Sequence, residues 1–279
     1  MAKKDGKVRL VVDCRRANAH FAPPGKTQLT TGASLASLRA EGVPFEVASY
    51  DIKNAFYNFS LPPCLRKFSG MPPLRAMEAG VRRLGGRAVH PNTLLHPRLA
   101  ILPMGWSHAL WWCQLLHCRI LEGVPGLGRA ARVVDGEAPP ELDKPVHAIY
   151  VDNGIIIARS GADANILLHR AVGALRAKGL PIHDVCEAAS SATVLGWVVD
   201  GAAQMVRPKP ERVRRTRLAI DWALKQTRVC PKDLEKLVGH MSFLGLVCRP
   251  SLAVLGATHV LINRARGSDS CVLWPSVRR

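Results

Sequence analysis

The sequence predicts an α+β fold in which an antiparallel sheet is backed by helices. Two segments, 46–52 (EVASYDI) and 146–158 (VHAIYVDNGIIIA), are rich in the β-branched and aromatic residues that strands favour. Residues 163–178 (DANILLHRAVGALRAK) instead carry apolar residues at helical spacing. The chain has 279 residues, of which 48% are hydrophobic, so it is long enough to bury a substantial core.

The N-terminal half is predicted to contain short elements. Residues 8–12 (VRLVV) predict a strand, and 53–60 predict a helical turn after the strand at 46–52. A hairpin is expected around 85–86, because two consecutive glycines readily adopt the positive φ of a tight turn. Residues 106–121 (WSHALWWCQLLHCRIL) are strongly apolar with helix-compatible spacing, which predicts a buried helix.

The middle of the chain is predicted to be a long loop followed by a hairpin and a helix. Residues 122–145 are rich in glycine, proline and acids, as loops are. An Asp-Asn-Gly turn at 152–154 is expected to join two strands, because Asn-Gly favours hairpin turns. The following helix is predicted to start at Asp163 as its N-cap and to end before Gly179.

The chain is predicted to divide into two parts, 1–206 and 207–279. A hairpin is expected over 193–206, and helices broken near two prolines are expected over 209–264. Strand-like sequence therefore gives way to helical sequence near the proline-containing stretch 206–210 (VRPKP).

The charge of the protein indicates a polyanionic partner. Lys and Arg number 39 against 21 Asp and Glu, which gives a net charge of +18. Nucleic acid is the commonest such partner, an anionic membrane surface is a rival, and a merely basic protein is the third possibility. No run of 18 apolar residues exists, so no membrane span is expected. The 8 scattered cysteines show no zinc-site spacing and are typical of a reduced, intracellular protein.

Two β-prone segments each end in an aspartate, Asp51 and Asp152. Carboxylates at the ends of neighbouring strands can share divalent metal ions, an arrangement that phosphoryl transfer requires. Taken alone, either aspartate is more simply explained as a turn former or a cap, which is the usual role of an aspartate at a strand end. The order of the surrounding motifs distinguishes these interpretations.

Five stretches occur in the order found in reverse transcriptases of retroelement type, which this sequence resembles over about residues 5–265. The first resembles the fingers motif, and the others resemble motifs A, B and C and the primer-grip turn. In that order they are 7–18 (KVRLVVDCRRAN), 50–56 (YDIKNAF), 102–106 (LPMGW) followed by Gln114, 150–153 (YVDN) and 195–197 (LGW). The resemblance implies a right-hand polymerase with partial fingers, a palm sheet and a helical thumb at 207–279.

The resemblance also implies a metal site for Mg²⁺ or Mn²⁺. Asp51 and Asp152 would be the catalytic carboxylates and metal ligands, with the backbone carbonyl of Ile52 and the side chain of Asn153 as further ligands. Most family members carry aspartate where Asn153 stands, so one negative charge is missing from this site.

Four residues would contact the incoming deoxynucleotide if the resemblance holds. Arg9 would bind the triphosphate, although a solvated strand arginine is the alternative. Phe56 would exclude a ribose 2′-hydroxyl or simply pack in the core. Gly105 would allow the backbone to approach the nucleotide closely. Gln114 would lie near the template or nucleotide, with a surface helix glutamine as the alternative.

Two further departures from the family pattern indicate a weakened or inactive enzyme. Met104 stands where many members have glutamine, and no lysine follows the Gly-Leu pair at 179–180 to protonate pyrophosphate. His183 is a candidate substitute for that lysine, although an exposed loop histidine is the simpler interpretation.

A basic segment follows the predicted palm. Residues 207–228 contain eight basic and two acidic residues, so a helix there would present a positive patch that contacts phosphates. A solvated basic face is the alternative, and Trp197, Trp222 and the run 234–246 are assigned to the core. The predicted nucleic-acid-binding residues are Arg207, Lys209, Arg212, Arg214, Arg215 and Arg217.

Three functions remain open at this point. The first is template-directed DNA synthesis from deoxynucleoside triphosphates on an RNA or DNA primer–template. The second is a catalytically inactive derivative that binds nucleic acid. The third is an unrelated basic nucleic-acid-binding module, which requires Asp51 and Asp152 to lie far apart. The sequence leaves the oligomeric state open.

Overall fold

The computed structural model describes residues 11–278 and has an α+β fold. The strands are β1 Glu46–Ile52, β2 Leu74–Arg75, β3 Arg83–Leu84, β4 Arg87–Ala88, β5 Leu94–Leu95, β6 Arg132–Val133, β7 Val146–Tyr150, β8 Asn153–Ala158, β9 Ile182–Ala189, β10 Ser191–Val194, β11 Trp197–Asp200 and β12 Met205–Pro208. The α-helices are α1 Arg15–Asn18, α2 Gly32–Ala36, α3 Ala55–Asn58, α4 Pro63–Arg66, α5 Ala109–Glu122, α6 Gly161–Ala177, α7 Pro210–Lys225, α8 Pro231–Gly245, α9 Gly256–Arg264 and α10 Pro275–Arg278. Arg129–Ala131 and Arg249–Leu255 form 3₁₀ turns.

The central sheet is mixed, with the strand order β6-β7-β8-β1-β9. Every pair in it is antiparallel except β6 with β7, which run parallel. The predicted wholly antiparallel sheet is therefore wrong at this edge. The connection over 134–145 explains the difference, because about a dozen residues are enough for the chain to cross back and re-enter the sheet in the same direction.

Both faces of the central sheet are buried. On one face Tyr50 and Ile52 of β1 pack with residues of α5 and α6, and on the other Val47 packs with residues of α2 and of the β10-β11-β12 sheet. Covering both faces explains why 155–157 is a continuous run of isoleucines rather than an alternating pattern.

The strand at 46–52, the hairpin around 85–86 and the hairpin within 146–158 are confirmed, with two local corrections. The second hairpin turns at Val151 and Asp152, because Tyr150 pairs with Asn153. Ser160, rather than Asp163, is the N-cap of α6, since its hydroxyl accepts a hydrogen bond from the Asp163 N–H at 3.3 Å.

Three further predictions differ from the structure or fall outside it. Helix α5 starts at Ala109, three residues later than the predicted 106. Strand β9 was not predicted, because six of its eight residues are exposed and its apolar residues do not alternate with polar ones. Residues 8–10 of the predicted strand at 8–12 lie outside the described residues, and residues 11–12 do not form a strand.

Helices α8 and α9 form a separate small core with the C-terminal segment, and an aromatic stack joins α8 to the β10-β11-β12 sheet. Trp197 of β11 stacks on Phe243 of α8, with ring centroids 4.5 Å apart. The Arg212 guanidinium lies 3.8 Å from the centroid of the Phe243 ring. An ion pair between Arg249 and Asp135, with 2.6 Å between Nη2 and Oδ2, adds a second connection.

Trp197 is buried as predicted, with 1% of its surface exposed, but Trp222 is not. Half of the Trp222 surface is exposed, because the side chain lines an open groove between α7 and α8. Among the described residues, no helix is long and apolar enough to cross a membrane.

Candidate active site

Pairing between β1 and β8 brings the two predicted carboxylates together. Asp51 lies opposite Asn153 in the ladder, and the Ile52 N–H donates to the Asp152 carbonyl oxygen at 2.8 Å. Directly opposed Cα atoms in such a ladder are about 4.5–5.5 Å apart, and Asp152 is the next residue along the chain from Asn153. The third function requires these aspartates to lie far apart, so the structure contradicts it.

The environment of Asp51 favours its protonated form. Burial of the carboxyl and, second, the negative charge of Asp152 raise the pKa of Asp51 to about 6. The His183 imidazole opposes this shift, with its Nε2 lying 2.8 Å from Asp51 Oδ1. Two carboxylates that repel one another in a half-buried site are expected to attract a cation.

Replacing Asp51 with asparagine is expected to stabilise the protein at pH 7 by about 1–2 kcal/mol, allowing for solvent screening. Because the folded pKa of Asp51 is raised, its contribution to stability is fully present below about pH 4 and is lost as the pH rises through about 6. Urea unfolding at pH 4.5 and pH 7 measures the effect. Asp143→Asn, at an exposed aspartate, serves as the control. An equal gain for Asp51→Asn at both pH values would contradict this prediction.

Asn153 and His183 both contact the carboxylates directly. The Asn153 side-chain amide donates to Asp152 Oδ1 at 2.9 Å, so in this structure it is a hydrogen-bond donor to that carboxylate. His183 lies on β9, opposite Asp51, and its Nδ1 is 2.9 Å from Asp184 Oδ2. The interpretation of His183 as a simple loop histidine is therefore wrong.

Gln114 lies beneath the turn between β7 and β8. Only 3% of its surface is exposed, and its side-chain oxygen accepts from the Val151 N–H at 2.7 Å. Its amide group donates to the carbonyl oxygens of Ile149 and Gln28. The alternative of a surface glutamine is therefore wrong, while the predicted position of Gln114 near the template or nucleotide stays a prediction.

The backbone conformation and the surroundings of Gly105 both require a glycine at this position. Its φ is +119°, and a Cβ atom there would lie 2.2 Å from the carbonyl oxygen of Val12. Asn18 holds the same loop, because its amide donates to the Gly105 carbonyl oxygen at 3.1 Å and its oxygen accepts from the Ser107 N–H at 3.0 Å. The close approach in this structure is thus to the chain itself.

Phe56 lies on α3, directly after β1, and is half-buried against the main core. Its predicted contact with the sugar stays a prediction. Arg9 lies outside the described residues, so its predicted contact with the triphosphate also stays a prediction.

The predicted basic residues fall into two groups. Arg207 pairs with Asp200, with 3.3 Å between Nη2 and Oδ2, and Arg212 packs on the Phe243 ring as described above. The others are exposed and form no ion pair with any described carboxylate. They are Lys209 at the start of α7 and Arg214, Arg215 and Arg217 within it.

The oxygen atoms at this site are of the kind that binds a hard divalent cation, although only a few residues supply them. Carboxylate and carbonyl oxygens are the ligands that Mg²⁺ prefers, and Asp51, Asp152 and the Ile52 backbone supply them. The raised pKa of Asp51 reflects burial together with repulsion from Asp152, and a bound cation would offset that repulsion. Within residues 11–278, however, no group of three or more His, Cys, Asp or Glu side chains is placed to hold a metal ion.

The backbone arrangement matches solved structures of foamy viral protease–reverse transcriptases. One, in complex with double-stranded DNA, superimposes with a TM-score of 0.62 and 16% sequence identity over 100% of this chain. The chain has a reverse-transcriptase fold. Another such structure with double-stranded DNA superimposes with a TM-score of 0.63 and 16% sequence identity over 98% of this chain. A third, with an RNA/DNA hybrid, superimposes with a TM-score of 0.59 and 16% sequence identity over 96% of this chain.

The reverse-transcriptase fold is carried here by a sequence far from those of the matching structures. The chain spans 41%, 47% and 30% of the lengths of the three matching chains, which is less than half of each. No protein-family model matches the sequence, and no curated protein matches it either.

Two buried polar residues near the turn that carries Asp152 were not predicted from the sequence. They are His117 and Tyr50, for which the sequence predicts no functional role. Both are almost completely buried, and they hydrogen-bond to each other at 2.8 Å. The available signal was a histidine three residues after Gln114, which lies on the same helix face.

Proposed function

We propose that this chain catalyses template-directed addition of deoxynucleotides to a primer, using either RNA or DNA as the template. The observation that carries the proposal is the juxtaposition of Asp51 and Asp152 at the ends of neighbouring strands, on a reverse-transcriptase fold. In the reaction the primer 3′-oxygen forms a bond to the α-phosphorus while the bond to pyrophosphate breaks.

The predicted site residues would have three roles in this reaction. Asp51, Asp152 and the Ile52 carbonyl would hold divalent ions, which when bound neutralise phosphate charge and favour ionisation of the primer hydroxyl. Phe56 would exclude a ribose 2′-hydroxyl by overlap. Arg9 would bind the triphosphate through its guanidinium.

The central sheet would be the palm, and α7 to α9 would be the thumb. Strand β12 ends at Pro208 and α7 starts at Pro210, next to the proposed boundary between 1–206 and 207–279. The exposed arginines of α7 would contact backbone phosphates of the primer–template, which gives affinity without reading sequence.

A second candidate, an inactive protein that binds nucleic acid, is favoured by a specific observation. Asp51 is paired with His183 and Asp152 accepts from Asn153, so both carboxylates have protein partners at short distance. Such a protein would keep duplex affinity while extending no primer.

Primer extension distinguishes the two candidates. The purified protein is given an RNA template, a DNA primer and deoxynucleotides, with Mg²⁺ and separately with Mn²⁺. We expect extension that Asp51→Ala abolishes and Asp143→Ala leaves unchanged, because Asp143 is an exposed aspartate of the long loop. Duplex binding without extension under both metals would instead support the inactive candidate.

A further inference from the structure

The turn that carries Asp152 has an unfavourable backbone conformation. Val151 has a φ of +55°, in the left-handed region that β-branched residues rarely adopt. Such a conformation persists only where the surroundings determine it. The surroundings of Val151 are therefore part of what places Asp152.

Helix α5 binds both polar backbone groups of Val151. The Val151 N–H donates to Gln114 Oε1 at 2.7 Å, and the Val151 carbonyl oxygen lies 3.0 Å from His117 Nδ1. Gln114 and His117 are three residues apart and so lie on one face of the helix. Cys113 adds a weaker contact, with its Sγ 3.8 Å from the same carbonyl oxygen.

The chemistry of these partners fixes the tautomer of His117. Burial lowers the pKa of His117 to about 4, so the ring is neutral at pH 7 and has one N–H and one lone pair. A carbonyl oxygen only accepts, so Nδ1 carries the hydrogen. Nε2 then accepts from the Tyr50 hydroxyl at 2.8 Å, and burial raises the pKa of Tyr50, which keeps that hydroxyl protonated.

Gly154 leaves room for the Tyr50 ring. It lies opposite Tyr50 in the β1–β8 ladder, and a Cβ atom there would be 2.0 Å from Tyr50 Cζ. The ring therefore crosses the neighbouring strand and reaches α5. The chain of contacts begins at the residue before Asp51 and ends at the residue before Asp152.

We infer that Gln114, His117 and Tyr50 are positioning residues that hold the Val151 turn and thereby set where Asp152 presents its carboxylate. The inference rests on the proposed function only in naming Asp152 a catalytic group. Gln114 and His117 act through the backbone of Val151, and Tyr50 acts through His117.

The test compares variants in the full chain by two readouts that need no catalysis. The first is hydrogen exchange of the Val151 amide, and the second is Mn²⁺ affinity by titration. We expect His117→Leu and Gln114→Met to speed Val151 exchange at least tenfold and to weaken Mn²⁺ binding at least tenfold. His117→Asn, which can keep an N–H near the position of Nδ1, is expected to stay within about threefold of the original protein in both.

The matched control is His147→Leu, which removes another buried histidine. His147 has 1% of its surface exposed, and its Nε2 lies 3.2 Å from the Gly128 carbonyl oxygen, a contact that does not involve the turn. We expect this control to lower thermal stability while leaving Val151 exchange and Mn²⁺ affinity near their original values. Gly154→Ala is expected to reproduce the effects of His117→Leu, because it displaces the Tyr50 ring.

Nitrogen-15 NMR of the His117 ring tests the inference independently, because it reports which ring nitrogen carries the hydrogen. The Nδ1–H tautomer is expected, and an Nε2–H tautomer would overturn the inference. Unchanged Val151 exchange in His117→Leu would overturn it as well. Failure of primer extension by the unaltered protein, with these exchange and tautomer results intact, would count against the proposed function alone.

Discussion

Replacing Asn153 with aspartate is expected to raise the Mg²⁺ affinity of the site at least tenfold, equivalent to about 1.4 kcal/mol. The Asn153 amide donates to Asp152 Oδ1 at 2.9 Å, and a carboxylate at that position cannot donate. The change removes this hydrogen bond and adds a negative charge beside two carboxylates that already repel one another. Isothermal titration with Mg²⁺ and with Mn²⁺ measures the effect.

The same substitution is expected to lower the melting temperature without metal and to raise the gain in melting temperature on adding Mg²⁺, because the ion binds the folded state. If the proposed polymerase is limited by the missing charge, primer extension should rise by about 10- to 100-fold. Asn153→Ala is the control, since it removes the hydrogen bond and adds no charge. Equal metal affinity in the two variants would show that the added carboxylate is not a ligand.

Replacing Arg214, Arg215 and Arg217 together with glutamine is expected to weaken binding to an RNA/DNA duplex by about 10- to 100-fold at physiological salt. These side chains are exposed on α7 and form no ion pair with any described carboxylate. Each phosphate contact contributes about 0.9 to the slope of log affinity against log salt concentration. The slope should therefore fall by about 2–3, as measured by fluorescence anisotropy over a salt series.

A matched variant distinguishes a binding surface from an effect of net charge. Arg170, Arg176 and Lys178 are exposed on or directly after α6, and replacing them with glutamine removes the same charge. We expect that variant to retain the original slope, because α6 packs behind the central sheet. Equal losses in the two variants would indicate general attraction to a basic protein, with no dedicated surface on α7.

The strands and the two aspartates of the candidate site could be predicted from the sequence, because strand propensity and turn chemistry depend on a few neighbouring residues. The runs 46–52 and 146–158 each contain enough branched and aromatic residues to specify strands. Asp51 is the second-last residue of β1, and Asp152 lies in the turn between β7 and β8. The pairing of β1 with β8 could be predicted only from the order of the motifs, because the sequence of one strand does not specify which other strand it pairs with. The resemblance to reverse transcriptases supplied that pairing, and the backbone match supports the same fold.

Other features depended on neighbours that lie far away in the chain. Strand β9 is mostly exposed and its apolar residues do not alternate with polar ones, so no local pattern predicts it. It forms because β1 offers an open edge for pairing. His183 is brought to Asp51 only by that pairing. Gly105 is constrained by the carbonyl oxygen of Val12, about ninety residues earlier.

By itself, the sequence determined the α+β class, the basic character and the two aspartates, because propensity, charge and turn chemistry act over a few residues. Only the tertiary structure decided what surrounds those aspartates. Packing of α5 against the sheet turns Gln114 and His117 inward, while the open groove between α7 and α8 leaves Trp222 half exposed. Burial and hydrogen-bond partners are set by elements distant in sequence, and no local pattern encodes which side chain will meet which backbone group.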